Sequence, residues 1–324
     1  MSELHALPLG YPPVLDSPTA LPQVSGKSAG VRETKSGNLS LPATHVASRV
    51  SRKRLQTLAT NLSERDLAIL SSVDQFRFVT GSQLMAFHFA AHASPVSAER
   101  TCRRVLARLR ELRVLGVLEQ RIGGVRAGSD GLVYYVNTVG DRVLRQENPA
   151  RTRRRVGDPS TRFLDHTLAT TGLAAQLQDR VREHGAEIVR LAAEPAAHRH
   201  YTDLLGTPQV IKPDLEVELA AVAGDEDVAA FFVEVDLGHE SIPTLVGKCL
   251  AYESYRQSGE EQRRYGGFPV IVWAMTATRQ AVVQRRQRDL ARALERNPRI
   301  DSRAYRIFAL SAAADGLLRE AHHG

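Results

Sequence analysis

Five residues in the second half of the chain have the types and spacing to do chemistry. Glu234 and Asp236 alternate with Val233, Val235 and Leu237 in the stretch FFVEVDLG, and Asp214 follows Lys212 and Pro213 in VIKPDLEVEL. A strand turns successive side chains to opposite faces, so Glu234 and Asp236 share one face while the apolar residues fill a core from the other. If the two stretches are neighbouring strands, Asp214 joins them and three carboxylates stand on one side of a sheet. Such acids repel one another, and burial adds to the cost. A divalent cation with oxygen ligands, Mg2+ or Mn2+, removes the difficulty and can activate water against a phosphodiester. Asp214, Glu234 and Asp236 are therefore the candidate metal ligands.

The lysines point to the same place. Of the 43 cationic residues only five are lysines, and beyond Lys53 the chain keeps only Lys212 and Lys248. One lies two residues before Asp214, the other in the helical stretch after the acidic strand. A compact ammonium orients a water or touches a single phosphate oxygen better than a planar guanidinium does. His166, in FLDHTL, is a further candidate for the metal site or for a phosphate, with a helix-packing histidine as the alternative. Tyr252 lies one turn beyond Lys248 on the same helix face and either bonds a carboxylate, acts as a nucleophile in strand transfer, or packs in the core. His239 and Glu240 directly follow the acidic strand and can reach the site or stay in a solvated loop.

The elements that must hold these residues follow an α-β-β-β-α-β order from about residue 161, which implies a mixed sheet flanked by helices. Upstream lies a different pattern. SERDLAIL and TGSQ both fit capping boxes, Ser63 with Asp66 and Thr80 with Gln83, and each opens a helix. Ser94 and Pro95 open a third, expected to run to about Leu115 and to stop at Gly116. Two short strands then flank a Gly-rich turn, GGVRAGSDG. Three helices and a β-hairpin are the order of a winged helix-turn-helix. On the third helix Cys102, Val105, Leu106, Leu109 and Leu112 share one face; Arg100, Arg103 and Arg104 share the other, with Arg108 flanking. Those arginines, with Arg121 and Arg126 in the hairpin, are the candidate contacts to double-stranded DNA. A solvated arginine face is the plainer alternative in a chain this rich in arginine.

The ordered set KPD, FFVEVD and the following lysine resembles the PD-(D/E)xK nuclease fold, whose strand acids bind Mg2+ and whose lysine assists hydrolysis. The usual second half-motif is E-x-K; here it is Glu234-x-Asp236, and the resemblance implies that Lys248 supplies the lysine from the helix. More narrowly, FLDHTL, KPDLEVEL, FFVEVDLGHES and KCLAY downstream of a winged helix resemble the actinobacterial replication-relaxation family, implicated in plasmid replication and DNA relaxation. The resemblance implies a DNA-binding protein of a plasmid or mobile element, with replication or conjugation proteins as partners.

The expected organisation is a disordered arm over 1–55, a winged helix over 56–148, a basic linker over 149–160 containing RTRRR, a nuclease-like domain over 161–315 and a tail over 316–324. The fold class is thus α+β or α/β with a mixed central sheet. A net charge of +7 suits a nucleic-acid partner without requiring one. No apolar run approaches the length of a membrane span, and no secretory signal opens the chain, which points to a cytoplasmic protein. Only two cysteines occur, Cys102 and Cys249, both in helix-like patterns, which argues against a disulfide framework and a cysteine zinc site. Three readings stay open: a metal-dependent nicking enzyme, a catalytically silent scaffold, and a ligand-sensing regulator. Winged-helix proteins commonly bind as homodimers, though no residue here marks an interface.

Overall fold

A computed structural model of the protein describes residues 50–90, 94–118, 131–149, 151 and 159–323. Arg121, Arg126, the Gly-rich turn up to its last residue Gly131, most of the RTRRR stretch and the arm as far as residue 49 lie outside them.

The first part is built from helices α1 (Arg52–Asn61), α2 (Glu64–Phe76), α3 (Gly81–His88), α4 (Pro95–Glu111) and α5 (Thr138–Glu147). Three short strands join them: β1 (Val79–Thr80), β2 (Leu115–Val117) and β3 (Val133–Val136), in the antiparallel order β1-β3-β2. Both expected capping boxes are present, with each N-cap side chain and its N3 partner bonding reciprocally. The α4 helix ends four residues earlier than the sequence pattern implies. Its stop is Arg113, at φ 60°: Arg113 N–H donates to Arg110 O and Val114 N–H to Leu109 O. That pair of bonds is a Schellman cap, normally given to glycine, so no sequence signal announces it. Leu115 and Gly116, freed from the helix, pair with β3 instead. Strand β1 and helix α5 are additions to the expected order, and α1 begins within the segment expected to be disordered.

The second part opens with the long helix α6 (Thr161–His184), capped by Ser160 and closed by the left-handed Gly185. Strands β4 (Glu187–Ala193), β7 (Leu215–Ala220), β8 (Val228–Asp236), β9 (Val270–Met275) and β10 (Tyr305–Ala309) form one mixed sheet, ordered β10-β9-β8-β7-β4. The pairs β8–β9 and β9–β10 are parallel; β7–β8 and β4–β7 are antiparallel. The stretch expected as a single strand, VIKPDLEVEL, is broken at Lys212 and Pro213. Its first half is β6 (Pro208–Ile211), which pairs with β5 (Arg199–Thr202) as a separate hairpin. Helices α7 (Ile242–Ser258), α8 (Glu260–Tyr265), α9 (Gln280–Arg296) and α10 (Ala313–Ala321) complete the chain. Residues 316–324, expected as a tail, begin inside α10, whose Leu317 and Leu318 are buried.

Both faces of the sheet are covered. Val233 and Val235 join an apolar cluster that runs from Leu55 through Leu109 and Leu173 to Leu318. Phe232, on the opposite face, packs with Leu245, Tyr252, Trp273, Val283 and Leu290 from α7, β9 and α9. The acidic face of β8 is thus an interior face too, not an open one. Leu109 sits fully buried in the first cluster. Leu109→Ala should cost about 2–5 kcal/mol, the usual loss for emptying such a site, and a denaturant titration showing no shift would contradict this packing.

Candidate functional site

The sheet topology decides which residues can meet. β8 and β9 run parallel, so their carboxyl ends lie at one edge, and antiparallel β7 begins there. Register pairs Leu215 with Val233, which brings the preceding Asp214 level with Glu234. The edge where parallel strands end is a habitual place for ligand sites in α/β sheets.

Glu234 is only 4% exposed. Tyr252 donates its hydroxyl to Glu234 Oε1 at 2.7 Å, and Lys248 Nζ approaches Oε2 at 3.3 Å. Both donors lie on one face of α7, at i and i+4. Burial, with Asp214 nearby, pushes the Glu234 carboxyl well above the ordinary carboxylate range, and Lys248 and Tyr252 only partly offset this. Lys248 keeps its charge: burial works against it, but Glu234 and Glu240 raise its pKa, and its Nζ also meets Glu240 Oε2 at 3.1 Å. Its side chain is 41% exposed, so it lies between the buried acid and solvent. Trp273 lies beneath it, 5.8 Å from Nζ to the ring centroid. Tyr252 is buried with its hydroxyl committed to Glu234, and burial beside that acid raises its pKa.

Asp214 is held from two sides. Val235 N–H donates to its Oδ2 at 2.7 Å, and His166 Nε2 from α6 lies 3.2 Å from the same oxygen and 3.1 Å from Val235 O. The Asp214 contact raises the His166 pKa against the effect of burial. His166 and Asp214 also line a cleft with Arg77, Phe163, Thr167 and Glu194, where Arg77 rests on the Phe163 ring.

Asp236 has a different fate. Arg286 of α9 donates to its Oδ2 through Nε at 2.9 Å and Nη2 at 2.7 Å, and Gly238 N–H donates to Oδ1 at 2.9 Å. Arg286 also reaches Glu240 O at 2.7 Å, so it clasps the loop that follows β8. Gly238 makes that loop possible, with φ 81° and a would-be Cβ 3.3 Å from Thr276 O. The structure therefore brings together Asp214, Glu234, Lys248 and His166 and leaves Asp236 matched to a guanidinium. Lys212 is exposed and has no ion pair among the described residues.

Among the described residues, no group of three or more His, Cys, Asp or Glu side chains is arranged to hold a metal. A buried carboxylate with a second one beside it is nonetheless a fit for Mg2+, which keeps several waters and takes one or two protein carboxylates together with substrate phosphates. A cage of three acids does not fit.

On the DNA-contact candidates, Arg100, Arg103 and Arg104 are exposed on α4, with Arg103 ion-paired to Glu99 at 2.9 Å. Arg108 is instead committed to Asp66, donating to both its oxygens at 2.6 and 2.7 Å. Arg151, at the head of the basic stretch, is held by Asp74 and Asp141. The residues that sequence reasoning missed are Arg286 and the bonded role of Val235 N–H. Neither has a local signal: Arg286 lies 50 positions from its partner within an arginine-rich helix.

A family profile described as replication-relaxation matches residues 70–271, more than half of the chain. Comparisons with curated proteins and with solved structures give no significant match. No helix among the described residues is long and apolar enough to cross a membrane.

The pH dependence has a definite sign. A raised His166 pKa contributes stability that is fully present below the ordinary value near 6.5 and is lost as pH rises through the folded value. A raised Glu234 pKa acts in the same direction, because the folded chain keeps a proton that the unfolded chain has released. His88, held down to about 4 by burial, is neutral throughout the window above 6.5. Without divalent metal, the melting midpoint should therefore fall between pH 6.5 and 8.5. Glu234→Gln, which mimics the protonated form, should fall less, by roughly 2–4 °C, the shift about 1 kcal/mol produces in a large domain. Parallel curves for the two proteins would contradict the burial of a strained acid here.

Proposed function

The chain belongs to the replication-relaxation family, and from that premise we propose that it is a DNA-binding protein of a plasmid or mobile element with a metal-dependent DNA-nicking site. The α2-β1-α3-α4-β2-β3 order, with its β1-β3-β2 sheet, is read as a winged helix in which α4 enters the major groove. Arg100, Arg103 and Arg104 face outward for phosphates and guanine edges. The β7–β8 edge is read as a nuclease-like site of the PD-(D/E)xK kind, with Lys248 supplied from α7.

The observation that carries this reading is the pairing of buried Glu234 with Asp214 beside a half-exposed Lys248. A sensor or a plain scaffold has no need to bury two repelling acids. Asp214 and Glu234 would hold Mg2+ or Mn2+, which when bound supplies positive charge to a phosphodiester and acidifies a water. The chain's own groups do the rest. Val235 N–H and Tyr252 fix the two carboxylates, His166 stores a proton against Asp214, and Lys248 presents its ammonium to a phosphate oxygen or an incoming water.

One observation favours a second reading, a silent scaffold that binds DNA and recruits replication or transfer proteins. The E-x-K lysine position holds Asp236, and Arg286 neutralises it. Nicking of supercoiled plasmid in Mg2+, Mn2+ or EDTA separates the two. The enzyme reading expects metal-dependent nicking that Asp214→Asn, Glu234→Gln and Lys248→Met each reduce on the order of 10²-fold or more. Wild-type protein that shifts DNA in a gel but never nicks it would replace this reading with the scaffold.

A further inference from the structure

Helix α9 lies beyond the stretch that the family profile matches. Its buried side is Val283, Leu290 and Leu294, packed on the core beneath β9. Directly opposite, Arg285, Arg288, Arg292 and Arg296 recur at intervals of three, four and four residues, which aligns them in one exposed stripe. At 1.5 Å per residue the stripe is roughly 16 Å long. Within Gln280–Arg296 five arginines stand against Asp289 and Glu295, a net charge of 5 − 2 = +3. Asp289 borders the stripe and meets Arg285 at 3.5 Å. Arg288, Arg292 and Arg296 have no ion pair or hydrogen bond among the described residues.

That freedom sets them apart from the arginines inside the molecule. Arg151, Arg199 and Arg286 are each matched to a carboxylate. Unmatched guanidiniums in line repel one another, so the row is stable only where water or an extended anion faces it. One strand of duplex DNA places a charge every 3.4 Å of helix axis, about five over this length. The fifth arginine of α9 is Arg286, which clasps Asp236 and Glu240 O at the edge of the acid site. A duplex lying on the stripe would then be about one helix diameter, ~10 Å, from the loop that frames Glu234.

We propose that the outer face of α9 is a second DNA-binding surface, which tracks the phosphate backbone without reading bases and seats the duplex beside the Asp214–Glu234 site. It rests on the reading that this chain binds duplex DNA, but it is independent of α4.

The test is fluorescence anisotropy of a labelled random-sequence 30-base-pair duplex with the full chain, over a KCl series. Each phosphate contact contributes about 0.9 to the slope of log K against log salt. R288S/R292S/R296S should lower the slope by roughly 2–3 and weaken low-salt binding by roughly 10-fold or more, with an unchanged melting midpoint. The triple lysine version, R288K/R292K/R296K, should keep the wild-type slope. R100S/R103S/R104S reports on α4 separately. If that variant is impaired while the α9 serine variant keeps wild-type affinity and slope, the α9 surface is refuted and the function reading stands. If the wild type binds no duplex, both fall. If the α9 serine variant binds DNA normally but loses polyglutamate binding, the stripe serves an acidic protein and the proposal is overturned.

Discussion

Burying Glu234 next to Asp214 is the constraint that organises the second half of this molecule. A carboxylate inside a sheet loses water, and a second carboxylate across the strand pair makes its charge costlier still. Every neighbouring element answers that cost. Helix α7 brings Lys248 and Tyr252 on consecutive turns, the β8 backbone offers Val235 N–H to Asp214, and α6 brings His166 to the same oxygen. What these groups leave uncompensated is a raised Glu234 pKa, and a divalent cation acting in concert with DNA phosphates would relieve it.

The contrast with Asp236 is informative because the two acids sit on one strand face, two residues apart. Asp236 has a guanidinium and a backbone N–H, so its charge is satisfied within the protein. The same bond holds the β8–α7 loop, since Arg286 also takes Glu240 O, and Glu240 in turn meets Lys248. Asp236 thereby acts through Arg286 and Glu240 on the position of Lys248. In the proposed reading the pair Asp214–Glu234 would carry the chemistry, and the Asp236–Arg286 pair forms the frame around it.

Much of this arrangement was legible in the residues. The V-E-V-D alternation located the acidic strand, and two capping boxes located α2 and α3. Scarcity of lysine singles out Lys248, which contacts Glu234, and equally Lys212, which meets no acid among the described residues. Other features were hidden for physical reasons. A period of two separates the faces of a strand but does not say that α7 and α9 cover the polar one. The turn at Arg113 takes a left-handed conformation that a sequence pattern assigns to glycine. Arg108 has the spacing of a DNA contact, yet the Asp66 carboxylate, 42 residues away, takes it. The sheet covering and the Arg108–Asp66 pair are long-range contacts, about which hydrophobic period carries no information, and the Arg113 turn is a local cap without its usual glycine.

The most direct measurement is calorimetric titration of Mn2+ into the metal-free chain at pH 7, repeated in buffers of different ionisation enthalpy. The account predicts one saturable site per chain whose filling releases a proton, because the cation replaces the one held at the acid pair. It predicts loss of that site in Asp214→Asn and Glu234→Gln and its survival in Asp236→Asn. Absence of saturable binding, or binding that all three variants retain, would contradict the claim that Asp214 and Glu234 are held together to take a cation.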